Sequence, residues 1–286
     1  MPVTEFEVFF PESESTHELE RRKGGGGGGR GGGSSRPMSG GGSSGGRSST
    51  TYGNGGGPIA DIPGGAPFAG RTQGGGTRGN IYGTPYYGSG YPGTPNHNRG
   101  TTGMPFPFYY WPLGFGVAAG GGYIYHSEYG NPDNDTRPGG PQMIASFSSD
   151  SSNTTLHLIA DRDTVEDLIP IIREGCTGLN SNSSTNPSSY DTNNNNTKPE
   201  SALQFYRASS IALLLEGYNN TAALGDDENA PPTPFPDWRN QDLIRCLNDT
   251  IGEAAPLVDA GSVIWAPSGF GLVGLVFVVC RLASLV

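Results

Sequence analysis

The sequence is poor in the residues that build metal centres and redox sites. Its 286 residues include three cysteines and four histidines. The histidines are widely spaced, and no Cys/His spacing matches a zinc site. The sequence also lacks a Walker-type phosphate loop and a nucleophile elbow between a strand and a helix. It therefore indicates no catalytic residue, no metal ligand and no cofactor, and we expect a protein that is not an enzyme.

Charge of one sign is missing from parts of the chain. Residues 1–20 contain six acidic residues and no lysine or arginine, whereas residues 21–100 contain nine basic residues and one acid. The rest is acidic, and the net charge is −10. Residues 1–23 lack the basic start and apolar run of a secretory signal, so we expect them to be an acidic N-terminal segment. The pattern predicts weak attraction of the basic segment to the acidic remainder or to another anion.

Long apolar runs are missing from residues 24–103, which hold 31 of the 48 glycines. Ordering glycine costs more backbone entropy than ordering any other residue, and few apolar side chains here offset that cost. The segment is predicted to be a disordered Gly/Ser/Tyr-rich arm. Arginines between glycines also raise an RNA-binding hypothesis. Because only Arg30 is followed by two glycines, a spacer or wall-embedded arm is the favoured interpretation.

Residues 104–262 are predicted to form a small α+β domain of about three strands and two to three helices. Its first part is an uncharged run interrupted by proline and glycine, which makes a poor helix. Its aromatic residues are expected to form an apolar collar at the edge of the domain: Phe106, Phe108, Tyr109, Tyr110 and Trp111.

The middle of this domain is typical of a hairpin followed by a helix. Met143–Phe147 and Thr155–Ala160 are predicted strands, and the alternation in the second points His157 outward. Asp163 is the expected helix N-cap, and Pro170 is expected to kink or divide a helix that ends at Gly175. Asp161 and Asp163 flank the strand-to-helix turn, where capping is favoured over acid/base catalysis.

The last part contains two further elements. Residues 202–206 look helical and are expected to lead into a buried strand over residues 211–215, although one long helix would also fit. An apolar stripe over residues 237–251 predicts a final helix that stops at Gly252.

The three cysteines divide into a pair and a remainder. Cys280 lies in the C-terminal apolar tail, which leaves Cys176 and Cys246 in the domain. A bridge between them would close a loop of about 70 residues and contribute roughly 4 kcal/mol in the chain-entropy model. The alternative is two buried free thiols. The disulfide is favoured if the compartment is oxidising.

Six Asn-x-Ser/Thr triplets lie after residue 130, all without proline in the middle position. Those at Asn182 and Asn195 fit chance occurrence in Asn- and Ser-rich loops, whereas Asn153 and Asn219 lie at turns beside apolar runs. This clustering favours a secretory history. The candidate glycosylation sites are Asn134, Asn153, Asn182, Asn195, Asn219 and Asn248.

Residues 263–286 form a hydrophobic tail. The apolar stretch from Val263 to Cys280 would be about 27 Å long as a helix, barely a membrane span. The tail is therefore interpreted either as a transmembrane helix or as a GPI signal. In the second case four small residues are the attachment candidates: Asp259, Ala260, Gly261 and Ser262.

Eight segments between about Gly24 and the C-terminus carry a resemblance to known proteins: TTYGNGGGPI, PFAGRTQGGGTR, YGSGYPGT, FPFYYWP, YHSEYGNP, RPGGP, FYRASSIALLLEGYNNTAAL and CLNDTIGEAAPLVD. They resemble glycine-rich, membrane-attached surface proteins of mushroom-forming (basidiomycete) fungi, most specifically at YRASSIALLLEGYNNTAAL. This resemblance implies membrane attachment and a surface location, and it carries over no catalytic residues. Members are expected to have a signal peptide directly before the glycine run, and residues 1–23 depart from that pattern.

These observations favour a non-enzymatic cell-surface or cell-wall-associated protein that reaches the plasma membrane by the secretory route. Its expected partners are the membrane and cell-wall polysaccharide. The alternative is an intracellular tail-anchored protein whose Arg/Gly-rich arm binds RNA or other polyanions. The sequence does not indicate an oligomeric state or a ligand.

Overall fold

The structure is a computed structural model that describes residues 33–40, 46–94, 100–115, 127–191, 197–224 and 230–261. Nine strands and two α-helices occur within these ranges. The strands are β1 Ser35–Pro37, β2 Ser48–Thr50, β3 Ala60–Asp61, β4 Thr72–Gln73, β5 Gln142–Ser148, β6 Thr155–Asp161, β7 Ser188–Ser189, β8 Ala202–Tyr206 and β9 Ile211–Leu215. The helices are α1 Arg162–Gly175 and α2 Gln241–Ala254.

The predicted α+β class, with about three strands and two to three helices, is wrong. Within the described ranges the chain is mostly β, with a five-stranded antiparallel sheet and two small two-stranded sheets. The predicted strands at β5, β6 and β9 are present. The missed strands are β8, β7 and the four short strands before residue 80, none of which has a long apolar run of its own.

The large sheet has the strand order β7-β5-β6-β9-β8, and each strand is antiparallel to its neighbours. Successive side chains of a strand point to opposite faces. Leu156 and Leu158 of β6 therefore lie on the face that packs against α1 and α2. Ile159 lies on the other face, in a second apolar cluster with Tyr87 and Leu113. The sheet is thus covered by helices on one face and by irregular chain on the other.

Strand β8 replaces the predicted short helix at residues 202–206. All five of its residues are buried, and a bulge between Ala202 and Gln204 shifts its register. A short run that is buried on both sides has no alternation by which to distinguish a strand from a buried helix. The apparent helical spacing of Ala202, Phe205 and Tyr206 arises from burial on both faces together with the bulge.

Both helices also differ from their predicted bounds. The N-cap of helix α1 is Asp161, two residues before the expected Asp163, because Asp161 Oδ1 accepts a hydrogen bond of 3.0 Å from Thr164 N. It continues through Pro170 and ends at Gly175 as predicted. Helix α2 runs past Gly252 to Ala254, so the glycine does not stop it. The ring of Tyr82 lies where a side chain at position 252 would be, which explains a glycine inside the helix.

The glycine-rich segment differs most from its prediction. Residues 46–94 and 100–103 belong to the compact unit that begins at Gly33, whereas residues 24–32, 41–45 and 95–99 lie outside the described part of the chain. Ile81, Tyr87 and Tyr91 are buried in this unit. A buried aromatic side chain removes 150–250 Å² from water, which offsets the cost of ordering several neighbouring glycines.

The aromatic collar is also placed differently from its prediction. It lies inside the protein rather than at the edge of a domain, because the folded glycine-rich segment covers it. All five of its members are at most 9% exposed: Phe106, Phe108, Tyr109, Tyr110 and Trp111.

The glycine-rich segment also completes the sheet. Gly83 N donates to Phe205 O at 2.8 Å, and Phe205 N donates to Thr84 O at 3.0 Å. Arg207 N donates to Ile81 O at 2.7 Å. Residues 81–84 therefore run along the outer edge of β8 and satisfy backbone groups that an open edge would leave free for pairing with another chain.

We expect Gly139→Ala to destabilise the fold more than Gly65→Ala. Both glycines have left-handed backbone, with φ of +86° and +87°. A Cβ on Gly139 would lie 2.0 Å from Asp161 Oδ1, whereas nothing lies within 4 Å of one on Gly65. Because both variants place alanine in the same strained backbone, that strain cancels from the difference between them. Overpacking should lower the free energy of unfolding of Gly139→Ala by about 1–3 kcal/mol more than that of Gly65→Ala. Urea unfolding measures both, and equal losses would contradict the close contact.

Candidate functional site

The two domain cysteines are bonded in the structure. Cys176 directly follows α1 and Cys246 lies within α2, and their sulfurs are 2.01 Å apart with a Cα–Cα distance of 5.7 Å. The bond joins the two helices that cover the same face of the sheet. Cys280 lies outside the described residues.

Three candidate glycosylation asparagines are exposed in loops. Asn153 lies between β5 and β6, Asn182 follows α1, and Asn219 follows β9. Asn134 is half-buried, and its Oδ1 accepts hydrogen bonds from the backbone and hydroxyl of Thr136.

Asn248 is half-buried on α2, where its Oδ1 accepts a hydrogen bond of 2.7 Å from Tyr206 Oη. Its amide oxygen is thus held by a core residue, whereas its Nδ2 lies 3.4 Å from Asp249 Oδ1. Asn195 lies outside the described ranges.

The attachment candidates lie at the end of the described chain. Asp259 is half-buried, and its Oδ1 accepts a hydrogen bond of 2.7 Å from Gly55 N, whereas Ala260 and Gly261 are exposed. Ser262 and the tail 263–286 lie outside the described residues. Among the residues that are described, no helix is sufficiently long and apolar to cross a membrane, so the expected transmembrane helix is not found there.

Asp161 and Asp163 both have structural partners. Asp161 caps α1 through Thr164 N and also accepts a bond of 2.8 Å from Thr164 Oγ1. Asp163 accepts from the backbone N and the hydroxyl of Ser39 at 2.8 and 2.9 Å. Asp161, rather than the expected Asp163, is therefore the cap, and Asp163 ties the segment around residue 39 to the helix.

Arg207 forms the most buried charged contact of the described chain. Its side chain is fully buried, and its Nη2 lies 2.5 Å from Asp161 Oδ2. Its Nη1 donates to Thr164 Oγ1 and to Pro256 O, each at 3.0 Å. Its guanidinium carbon lies 3.4 Å from the centre of the Tyr110 ring. With its charge paired and its N–H groups engaged, Arg207 is a structural residue rather than a ligand-binding one.

A second group of polar side chains lies on the face of the large sheet that α1 and α2 do not cover. Ser146 of β5 and His157 of β6 face each other across the two strands. Ser146 Oγ lies 2.9 Å from His157 Nδ1, and His157 Nε2 lies 3.4 Å from Glu216 Oε2. Glu216 directly follows β9, the next strand of the sheet. Three neighbouring strands thus bring a hydroxyl, an imidazole and a carboxylate into one row.

The three side chains of this row differ in how exposed they are to solvent. His157 is 7% exposed, which corrects its predicted outward position, and Ser146 is half-buried. The side chain of Glu216 is 41% exposed. Burial lowers the pKa of His157, and the Glu216 carboxylate partly opposes that effect. The imidazole is therefore kept neutral at neutral pH, and a neutral imidazole can accept a proton from a serine hydroxyl.

No sequence motif indicated this row. Ser146 and Glu216 are 70 positions apart, and only the strand order β5-β6-β9 brings them to the same histidine. A correct pairing of the predicted hairpin would have placed Ser146 opposite His157, but nothing in the sequence specified β9 as the third strand. Among the described residues, no group of three or more His, Cys, Asp or Glu side chains is placed to hold a metal ion.

Comparisons with protein-family models, with curated proteins and with solved structures found no match for this chain.

We expect His157 to make stability sensitive to mild acid. The unfolded histidine has a pKa of about 6.5, and burial lowers the pKa in the folded state. Below about pH 6.5 the unfolded chain therefore takes up a proton before the folded chain does, and stability falls. His157→Gln removes this loss.

The stability advantage of wild type over His157→Gln should thus shrink as the pH falls from about 8 to 5. Urea unfolding at several pH values measures it. Taking the difference between the two proteins cancels the titration of other groups. A constant difference would show that the pKa of His157 is not lowered.

Proposed function

We propose that this chain is an extracytoplasmic glycoprotein of the cell surface or cell wall. The observation that carries the proposal is the bond between Cys176 and Cys246, which are 70 residues apart in sequence. Bonds of this kind form and persist in oxidising compartments and are rare in the cytosol. A protein that folds around such a bond belongs on the secretory route.

The positions of the glycosylation triplets support the same location. Asn153, Asn182 and Asn219 lie in separate loops and are exposed. Glycans are bulky and hydrophilic, so they fit loop positions of this kind without disturbing the sheet or its core. Asn153 and Asn219, which lie beside strands of the sheet, support passage through the secretory route, whereas the triplet at Asn182 also fits chance occurrence in polar sequence.

Cell-wall polysaccharide is the partner class that we propose for this protein. Large aromatic side chains are exposed at Tyr52, Tyr82 and Trp238, each 44%. Aromatic rings with a polar atom at one end combine an apolar face with hydrogen bonding, and both are useful against a sugar ring. Attachment to the membrane would come from residues 263–286, outside the described chain.

The alternative, a basic arm that binds RNA, has less support. Arg36 contacts Glu166 and Asp167 at 3.0 and 3.3 Å, and the pKa of Arg78 is lowered by burial to about 10. An RNA-binding arm presents its arginines to solvent. The described arginines of this segment instead contact their own fold: Arg36, Arg47, Arg71 and Arg78.

Asn→Gln changes at Asn153, Asn182 and Asn219 should each increase electrophoretic mobility when the full chain is made in secreting eukaryotic cells. The reason is that each exposed loop carries one glycan. Asn248→Gln serves as the matched control and should cause no shift, since the Asn248 side chain is half-buried on α2 and its Oδ1 is held by Tyr206 Oη. Endoglycosidase treatment that leaves the mobility of wild type unchanged would contradict the proposal.

Cys176→Ser and Cys246→Ser should each destabilise the domain by a similar amount. Loss of a bond that closes a loop of this length should cost about 4 kcal/mol. The double variant should lose no more than either single variant, because one bond is lost in every case. Thermal unfolding with and without reductant measures this. Protein from native cells with both thiols free to alkylation would argue against an oxidising compartment.

A further inference from the structure

We propose that Ser146, His157 and Glu216 form a serine-nucleophile site that hydrolyses carboxylic esters with short, uncharged acyl groups. This goes beyond the proposed function and departs from the expectation of a non-enzymatic protein. It rests on the geometry of the row alone. If Ser146 proves not to be a nucleophile, the glycosylation and disulfide predictions still stand. If those two predictions fail, the proposal for Ser146 still stands.

The contact between Ser146 and His157 satisfies the first requirement of such a site. A weak nucleophile needs a base within about 2.6–3.2 Å. Ser146 Oγ lies 2.9 Å from His157 Nδ1. The backbone of Ser146 exchanges hydrogen bonds with Ser184 on the other side, so Ser146 and His157 form a non-hydrogen-bonded pair, whose side chains approach most closely.

Glu216 satisfies the second requirement, a third group that orients the base. Its Oε2 lies 3.4 Å from His157 Nε2. Nε2 is buried and makes no hydrogen bond within the described chain, so the carboxylate acts on the imidazole through its charge at this distance. The tautomer that carries its proton on Nε2 leaves the lone pair of Nδ1 for the Ser146 hydroxyl. Such contacts are often longer in the unliganded enzyme than in the substrate complex. Glu216 is therefore the positioning residue, and Ser146 and His157 are the catalytic ones.

The surroundings of the row indicate the substrate class. On the face that carries Ser146, Ile144 precedes it along β5, and Ile144 and Tyr190 are half-buried at the edge of an apolar cluster. On the other side of Ser146 along β5, Ser148 Oγ lies 3.1 Å from Thr155 Oγ1. An acyl group would lie over the apolar side, away from the polar pair formed by Ser148 and Thr155. The partly exposed Glu216 carboxylate disfavours anionic acyl groups.

The reaction proceeds in two steps. In the first, Ser146 Oγ attacks the ester carbonyl carbon while its proton moves to His157 Nδ1, and the C–O bond to the alcohol breaks as the alcohol takes that proton. In the second, water gives a proton to His157 Nδ1 and attacks the acyl-serine. The C–Oγ bond then breaks, and Ser146 recovers the proton. Ester and water become acid and alcohol, and no other reactant is consumed.

The test uses the full, disulfide-bonded chain with a fluorophosphonate probe, and the labelled serine is located by peptide mass spectrometry. We expect labelling at Ser146 and hydrolysis of p-nitrophenyl acetate, both lost in Ser146→Ala. Ser148→Ala is the matched control, because Ser148 lies on the same face of β5 but faces Thr155 instead of a histidine. Ser148→Ala should still be labelled at Ser146.

His157→Gln should slow labelling about 100-fold or more, the usual contribution of a general base. Glu216→Gln should move the midpoint of the pH profile of labelling to lower pH, because the carboxylate raises the pKa of His157. A purely structural role would not move that midpoint, and thermal unfolding shows whether each variant is folded. Absence of labelling in folded wild type, or labelling that persists in Ser146→Ala, would overturn the proposal.

Discussion

The buried ion pair between Arg207 and Asp161 is the contact on which the rest of the fold depends. Arg207 lies in the β8–β9 turn, where it and the next two residues all have positive φ, of 51°, 50° and 59°. Left-handed backbone costs roughly 1–2 kcal/mol per non-glycine residue, and the contacts of the guanidinium hold the turn in place. Because Asp161 also caps α1, one side-chain pair fixes the turn, the start of the helix and, through Pro256 O, the chain that follows α2. Removing either partner would leave the other charge buried without compensation.

Several acidic side chains lie close together at the start of α1, and Arg36, which is distant in sequence, partly neutralises their charge. Burial raises the pKa of Asp167 to about 6, and Arg36 of β1 opposes this effect. The charge blocks of the sequence predicted attraction between its basic segment and its acidic remainder, and the contact of Arg36 with Glu166 is one such interaction. The same contact helps to explain why a segment so rich in glycine is ordered. The arginines and aromatic residues of this segment contact residues that lie later in the sequence, in the large sheet and its helices.

The elements that could be predicted from the sequence are those with local patterns. Strands β5, β6 and β9 alternate or run apolar, and α1 and α2 each carry an apolar stripe. Strand β8 and residues 46–94 could not be predicted, because their order depends on long-range contacts such as those of Ile81 and Tyr87 with the sheet. The candidate site was missed for the same reason. His157 was singled out in the sequence, but its neighbours Ser146 and Glu216 are set by strand order alone.

The pairing of residues 81–84 with β8 bears on how this protein can be divided. Composition would place a domain boundary near residue 104, after the last of the low-complexity sequence. A fragment that began there would lack the chain that satisfies the outer edge of β8 and would uncover Tyr206 and Phe205 beside it. An apolar strand edge of that kind pairs readily with copies of itself. The glycine-rich sequence therefore acts as a built-in protection of the sheet against self-association.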